Sequence, residues 1–127
     1  MQAIDTIATD AAPKAIGPYA QAVKANGFVY TSGQIPLDPA TGNLVEGTFE
    51  DHVHRVFRNL QAILTGAGTD FSRVVKATVY VTDLGNFQTL NTIYAGYFGD
   101  HKPARTTVEV PALPKGATVE IDLIALA

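Results

Sequence analysis

Between about Thr48 and Thr65 the apolar residues Phe49, Val53, Val56, Phe57, Leu60, Ile63 and Leu64 recur at helical spacing, which predicts an amphipathic helix with one buried face. Thr48 is placed to cap it, Glu50 and Asp51 lie in its positive first turn, and Gly66 and Gly68 end it. A second helix is predicted over Phe87 to Phe98, with Phe87, Leu90, Tyr94, Tyr97 and Phe98 on one face, Asn86 as cap and Gly99 as stop. The remaining apolar stretches alternate or are β-branched. Tyr19 to Ala25 and Phe28 to Ser32 form a hairpin about Asn26-Gly27, and Val74 to Thr82 is a strand. Arg105 to Val110 and Val119 to Leu126 are strands joined through the proline-containing turn Pro111 to Gly116, which suggests antiparallel pairing. Pro36 to Asn43 is a polar loop.

The order ββαβαββ, with no repeat and no linker, implies one domain over residues 1–127 of the α+β class, a single sheet carrying both helices on one face. In the last strand Val119, Ile121, Leu123 and Ala125 point toward the helices, whereas Glu120, Asp122, Ile124 and Leu126 point away. Ile124 and Leu126 would then lie on an open sheet face. A homo-oligomer packed sheet against sheet would cover it; an exposed patch on a monomer is the alternative.

Composition narrows the function. With 127 residues and 46% hydrophobic content the chain can build a core, and its net charge of −3 with dispersed Lys and Arg argues against nucleic acid as the main partner. The absence of cysteine removes disulfides, thiol nucleophiles and thiolate metal sites. No stretch approaches the roughly 18 apolar residues of a membrane span, and the first thirteen residues resemble neither a signal nor a transit peptide, so the expected location is the cytoplasm. His52 and His54 point in different directions on a helix and read as solvated, and His101 sits in a loop without an evident partner. No metal and no cofactor is expected: HExxH, P-loop, GxGxxG and GxSxG motifs are absent.

Chemistry concentrates in the last strands. Arg105 and Thr107 share a strand face, with Glu109 beyond. An inward-facing arginine needs an anion, and its planar fork fits a carboxylate. The anion is either a ligand or a structural partner, Glu120 or Asp122. Glu120, flanked by Val119 and Ile121, is the candidate general acid/base, or else an ion-pair partner. Both Arg105 and Glu120 can face the oligomer side of the sheet. Asn91 falls on the apolar face of the second helix, where its amide needs partners. Tyr19 and Ser32 are hydroxyl donors at the ends of the hairpin strands, or simply packing and turn residues.

Five segments together carry a resemblance: Ala15-Ile16-Gly17-Pro18-Tyr19-Ala20-Gln21, Thr31-Ser32-Gly33-Gln34-Ile35-Pro36, Pro103-Ala104-Arg105-Thr106-Thr107-Val108-Glu109-Val110, Leu113-Pro114-Lys115 and Val119-Glu120-Ile121. Each alone is weak; their joint order and spacing are specific. Over nearly its full length the chain resembles the RidA (YjgF-like) reactive imine/enamine deaminase family. The resemblance implies a chorismate-mutase-like fold, a homotrimer whose sheets form a central barrel, and active sites in clefts between protomers. It implies hydrolysis of 2-aminoacrylate/2-iminopropanoate and 2-iminobutanoate to 2-oxo acids and ammonia, without cofactor. Arg105 would bind the substrate carboxylate, helped by the Thr107 backbone N–H, and Glu120 would activate water. Tyr19, Ser32, Gly33 and Asn91 would shape the pocket. Many members carry Cys where this chain has Thr107, so thiol chemistry at that position is impossible here. Other readings are an RNA-cleaving translation inhibitor, a holdase-type chaperone and a carboxylate-binding module without turnover.

Overall fold

The computed structural model describes residues 3–127; Met1 and Gln2, included in the predicted domain, lie outside them. Six strands and two helices follow in the order β1 (Asp5–Ile7), β2 (Ala22–Ala25), β3 (Phe28–Thr31), α1 (Phe49–Gly66), β4 (Val74–Val81), α2 (Phe87–Phe98), β5 (Ala104–Glu109) and β6 (Val119–Leu126). They make one mixed sheet, β1-β2-β3-β6-β4-β5, antiparallel except where β4 meets β5. Strand β1 was not predicted. Its three residues carry no apolar alternation, and it exists because the exposed edge of β2 accepts it.

Local chemistry explains the element ends. The Thr48 hydroxyl accepts from the Asp51 amide at 3.3 Å while Asp51 Oδ2 accepts from the Thr48 amide at 2.9 Å, a capping box with Asp in place of Glu. Gly66 is the last residue of α1 and not its stop; Gly68, at φ +82°, turns the chain away. Asn26 and Gly27 both have positive φ, as a two-residue hairpin turn of this hand requires. Asn86 does not cap α2 with its side chain. A 3-10 turn over Leu84–Asn86 precedes the helix, and Asp83 caps that turn by accepting from the Gly85 amide.

Both helices cover one sheet face. Val53, Val56, Phe57, Leu60, Ile63 and Leu64 of α1 and Leu90 of α2 pack on Val79, Val81, Val119, Ile121 and Leu123, all essentially inaccessible. Phe57 stacks on Tyr97 with ring centroids 4.5 Å apart and meets Phe71, Tyr94 and Phe98 edge-on, joining the helices through one aromatic cluster. The predicted helix-facing and outward-facing sets of β6 alternate as expected. The outward face is uncovered and partly apolar: Tyr30, Val108 and Leu126 are each about 40% exposed. No helix among the described residues is long and apolar enough to cross a membrane.

Three expectations fail. Strands β5 and β6 are not partners, because β4 lies between them and pairs parallel with β5 and antiparallel with β6. The segment after β5 therefore crosses over β4 instead of making a hairpin. His52 is buried, not solvated: Nε2 donates to the Val45 carbonyl at 2.9 Å and Nδ1 accepts from the Thr118 hydroxyl at 3.1 Å, while half-buried His54 bonds the Tyr97 hydroxyl. His101 has a partner, donating to the Val74 carbonyl at 2.7 Å.

Phe57→Ala removes the centre of the aromatic cluster, from a residue with no exposed surface. Denaturant unfolding at fixed protein concentration should show a loss of about 3–5 kcal/mol; a loss under about 1 kcal/mol would mean the cluster collapses to refill the space.

Candidate active site

Two half-sites emerge. The first lies in the seam between α2 and β5. Register pairs Ala77 with Arg105 and Val79 with Thr107, so both side chains turn to the helix face of the sheet. Arg105 extends along α2, where Nη1 donates to Asn91 Oδ1 at 2.8 Å. Its guanidinium carbon is 4.8 Å from the Tyr94 ring centroid and 5.5 Å from that of Phe87. The cation is thus half-buried, and its hydrogen-bond partner among the described residues is a neutral amide. Asn91, Arg105, Lys102 and Pro103 line a cavity of about 320 Å³ there.

Edge strand β5 adds backbone donors. The Val110 amide donates toward β4, to the Val81 carbonyl at 2.8 Å. Strand alternation then turns the amides of Arg105, Thr107 and Glu109 to the free edge. The Thr107 hydroxyl, by contrast, is buried without a partner, so this residue offers its amide and not its side chain. Glu109 is already engaged, accepting from the Leu84 amide at 2.9 Å.

The second half-site lies against the opposite sheet face and the loops at its end. Tyr19, Ser32, Gly33 and Glu120 line one cavity of about 410 Å³, together with Lys14 and the apolar Ile16, Ile35, Leu37 and Pro114. Ser32 donates to the Ala20 carbonyl at 2.6 Å, and the Tyr19 hydroxyl accepts from the Ile16 amide at 3.2 Å. Buried Gln21 fixes the wall: its carbonyl accepts from the Thr9 amide, and its NH₂ donates to the Thr9 and Pro13 carbonyls.

Glu120 is half-buried, and burial raises its pKa, helped by the negative charge of Asp122 two residues along the same face. Asp122 is itself raised by burial, against hydrogen bonds from Tyr80 and Thr78 and the charge of Lys76. The Glu120 carboxylate lies over Gly33: a Cβ added there would sit 2.8 Å from the carboxyl carbon. Among the described residues no group of three or more His, Cys, Asp or Glu side chains could hold a metal ion.

This arrangement overturns the shared face expected for Arg105 and Glu120. Tyr80 pairs with Glu120 and Val79 with Thr107, so the arginine and the acid project from opposite faces of one sheet. An intrachain ion pair of Arg105 with Glu120 or Asp122 is excluded by the same register.

A family profile described as Endoribonuclease L-PSP matches residues 9–127. A RutC family protein of Pyrococcus horikoshii is 49% identical over 121 residues, covering 95% of this chain and 96% of its own. A mouse protein named 2-iminobutanoate/2-iminopropanoate deaminase is 48% identical over 120 residues, covering 94% and 89%. The solved structure of a Rid-family protein from Yersinia pestis superposes with a TM-score of 0.96 at 50% identity, covering 98% of this chain and all of that one. The chain belongs to the Endoribonuclease L-PSP (RidA, YjgF-like) family.

Within this L-PSP chain the seven predicted residues divide cleanly. Arg105, Asn91 and Thr107 gather at the α2–β5 seam, and Tyr19, Ser32, Gly33 and Glu120 gather at the other cavity. Sequence reasoning missed Lys14, whose side chain lines the Glu120 cavity, and Gln21, which shapes it. It read Phe87 and Tyr94 only as packing residues. Their seven-residue spacing about Asn91 was the available signal, but it carries meaning only once Arg105 is known to lie over that face.

Gly33→Ala should leave the fold intact, because the new methyl meets only the tip of a flexible side chain, yet it must displace the Glu120 carboxylate. The expected outcome is an unchanged melting temperature with the Glu120 side-chain carboxyl ¹³C resonance moved from its wild-type position; an unmoved resonance would show that the carboxylate does not lie over Gly33.

Proposed function

We propose that this protein hydrolyses 2-imino and enamine acids to 2-oxo acids and ammonia, acting on small substrates of the 2-iminopropanoate and 2-iminobutanoate type. The observation that carries this reading is Arg105, a half-buried cation beside an open cavity whose partner in the chain is a neutral amide. Such a cation is built for an external anion, and a planar fork selects a carboxylate. The activity in the mouse relative's name uses substrates with that group.

The two half-sites lie on opposite faces of one chain, so the reading requires a second copy. The uncovered sheet face, with Tyr30, Val108 and Leu126 exposed, supplies a surface for association. We take the assembly to be a homotrimer with the sheets forming a central barrel. The β5 edge of one protomer then faces the Glu120 cavity of the next.

In that cleft Arg105 and the Thr107 amide hold the carboxylate and so fix the position of the adjacent C=N carbon. An enamine first takes a proton on its terminal carbon and loses one from nitrogen to become the imine. Glu120, ionised, accepts a proton from water as its oxygen bonds to the imine carbon. Glu120 returns that proton to nitrogen to give the carbinolamine; it then takes the hydroxyl proton and passes it to the amine, the oxygen's electron pair forms the C=O bond as the C–N bond breaks with its electrons leaving on nitrogen, and ammonia and the 2-oxo acid separate. These imines hydrolyse unaided, so one anchor and one proton carrier, the latter worth about 10²–10⁴-fold, meet the task. An RNA-cleaving role is disfavoured by the net charge of −3 and dispersed cations.

Ammonia release from freshly generated 2-aminoacrylate is the direct test; no acceleration over buffer would overturn the reading. Arg105→Ala should abolish turnover while oligomeric state and melting temperature persist, and retained activity would remove the anchor role. Glu120→Gln should lose turnover yet still bind a 2-oxo acid. Because Glu120 must be ionised to accept the water proton and its pKa is raised, activity should fall on acidification at a pH above the ordinary Glu value of about 4.3. A pH profile flat through that range would exclude Glu120 as the base.

A further inference from the structure

Arg105 is held from three directions by one helix. Phe87, Asn91 and Tyr94 sit at positions i, i+4 and i+7 of α2, a single stripe facing β5. Residues seven apart on a helix are separated by about 10.5 Å along its axis. The guanidinium carbon is 5.5 Å from the Phe87 centroid and 4.8 Å from the Tyr94 centroid, so it lies between the two rings. Asn91, midway along the stripe, takes the Nη1 proton at 2.8 Å.

Resting on the deaminase reading, we propose that Tyr94 is a positioning residue which, with Phe87, clamps the Arg105 guanidinium and so holds its fork in the cavity for the substrate carboxylate. Asn91 consumes one of the outward N–H groups. The four N–H groups that remain keep a fork able to meet the two oxygens of a carboxylate.

The contribution of Tyr94 comes from its ring and not its hydroxyl. The hydroxyl oxygen is buried with no hydrogen-bond partner. Burial raises its pKa, against the opposing charge of Arg105, so the phenol stays neutral and its ring remains an uncharged platform. Nothing among the described residues uses the O–H, and its burial keeps it from a ligand in the open cavity. Removing it should therefore cost no function, whereas removing the ring should release the guanidinium.

The test compares Tyr94→Phe, Tyr94→Leu and wild type with three readouts. The first is the Arg105 side-chain ¹⁵N–¹H spectrum, assigned by its loss in Arg105→Ala. The clamp predicts ring-current-shifted, sharp Arg105 signals in wild type and Tyr94→Phe, and signals near random-coil positions in Tyr94→Leu. The second is pyruvate binding: Tyr94→Phe should match wild type, and Tyr94→Leu should weaken it at least about tenfold with the melting temperature of the assembly preserved. The third is KM for 2-aminoacrylate, which should rise in Tyr94→Leu more than kcat falls, because the anchor acts in ground and transition states alike. An unshifted Arg105 signal in wild type, or pyruvate affinity unchanged in Tyr94→Leu, overturns the clamp while leaving the deaminase reading intact. Absence of ammonia release with a shifted Arg105 signal does the reverse. If Tyr94→Leu lowers the melting temperature, Phe87→Leu replaces it on the other side of the cation and must produce the same loss of shift and affinity.

Discussion

A single desolvated cation organises this molecule. Arg105 leaves edge strand β5 toward the helix layer, where it loses much of its water and gains an amide oxygen and two aromatic faces in return. None of these carries a negative charge. Cation–π contacts and one neutral hydrogen bond hold the guanidinium in place without cancelling its field, so the site keeps an attraction for anions that an intrachain carboxylate would have used up. That difference separates an anchor from a structural ion pair, and it depends on the spacing of α2 as much as on the arginine.

The position of β4 carries the next consequence. With β4 between β5 and β6, side chains at matching levels of the two outer strands alternate in phase, and Arg105, level with Ala77, and Glu120, level with Tyr80, differ by three levels, an odd number. They therefore occupy opposite faces. Each face has its own supporting chemistry: aromatic clamp and amide on one side; on the other, Gly33 making room for a carboxylate whose proton affinity burial has raised. The proposed reaction needs both, which ties activity to assembly through geometry. The exposed apolar sheet face provides an independent reason for copies to associate.

Gln21 shows how loops are recruited into such a site. Its side chain takes over the hydrogen bonds of a segment that has no partner strand along residues 8–13, and so turns an irregular stretch into a wall of the Glu120 cavity. The short strand β1 is fixed from the same side by pairing with β2. Neither feature has a hydrophobic pattern, because neither is held by burial of an alternating face; both are held by backbone groups seeking partners.

Local periodicity alone determined both helices, the hairpin turn at Asn26-Gly27 and the inward and outward faces of β6, since each depends on neighbours within a few positions, whereas the roles of the seven candidate residues came from the resemblance carried by five joined segments, and Gly33 from that alone. Strand adjacency is different. Whether β5 pairs with β6 or β4 depends on a crossover whose length permits either, and only long-range packing against α2 decides it. From that one choice follow the separation of Arg105 from Glu120 and the conversion of Phe87 and Tyr94 from packing residues into the walls around a cation. A residue's face is written in its strand; what lies opposite that face is decided only when the sheet closes.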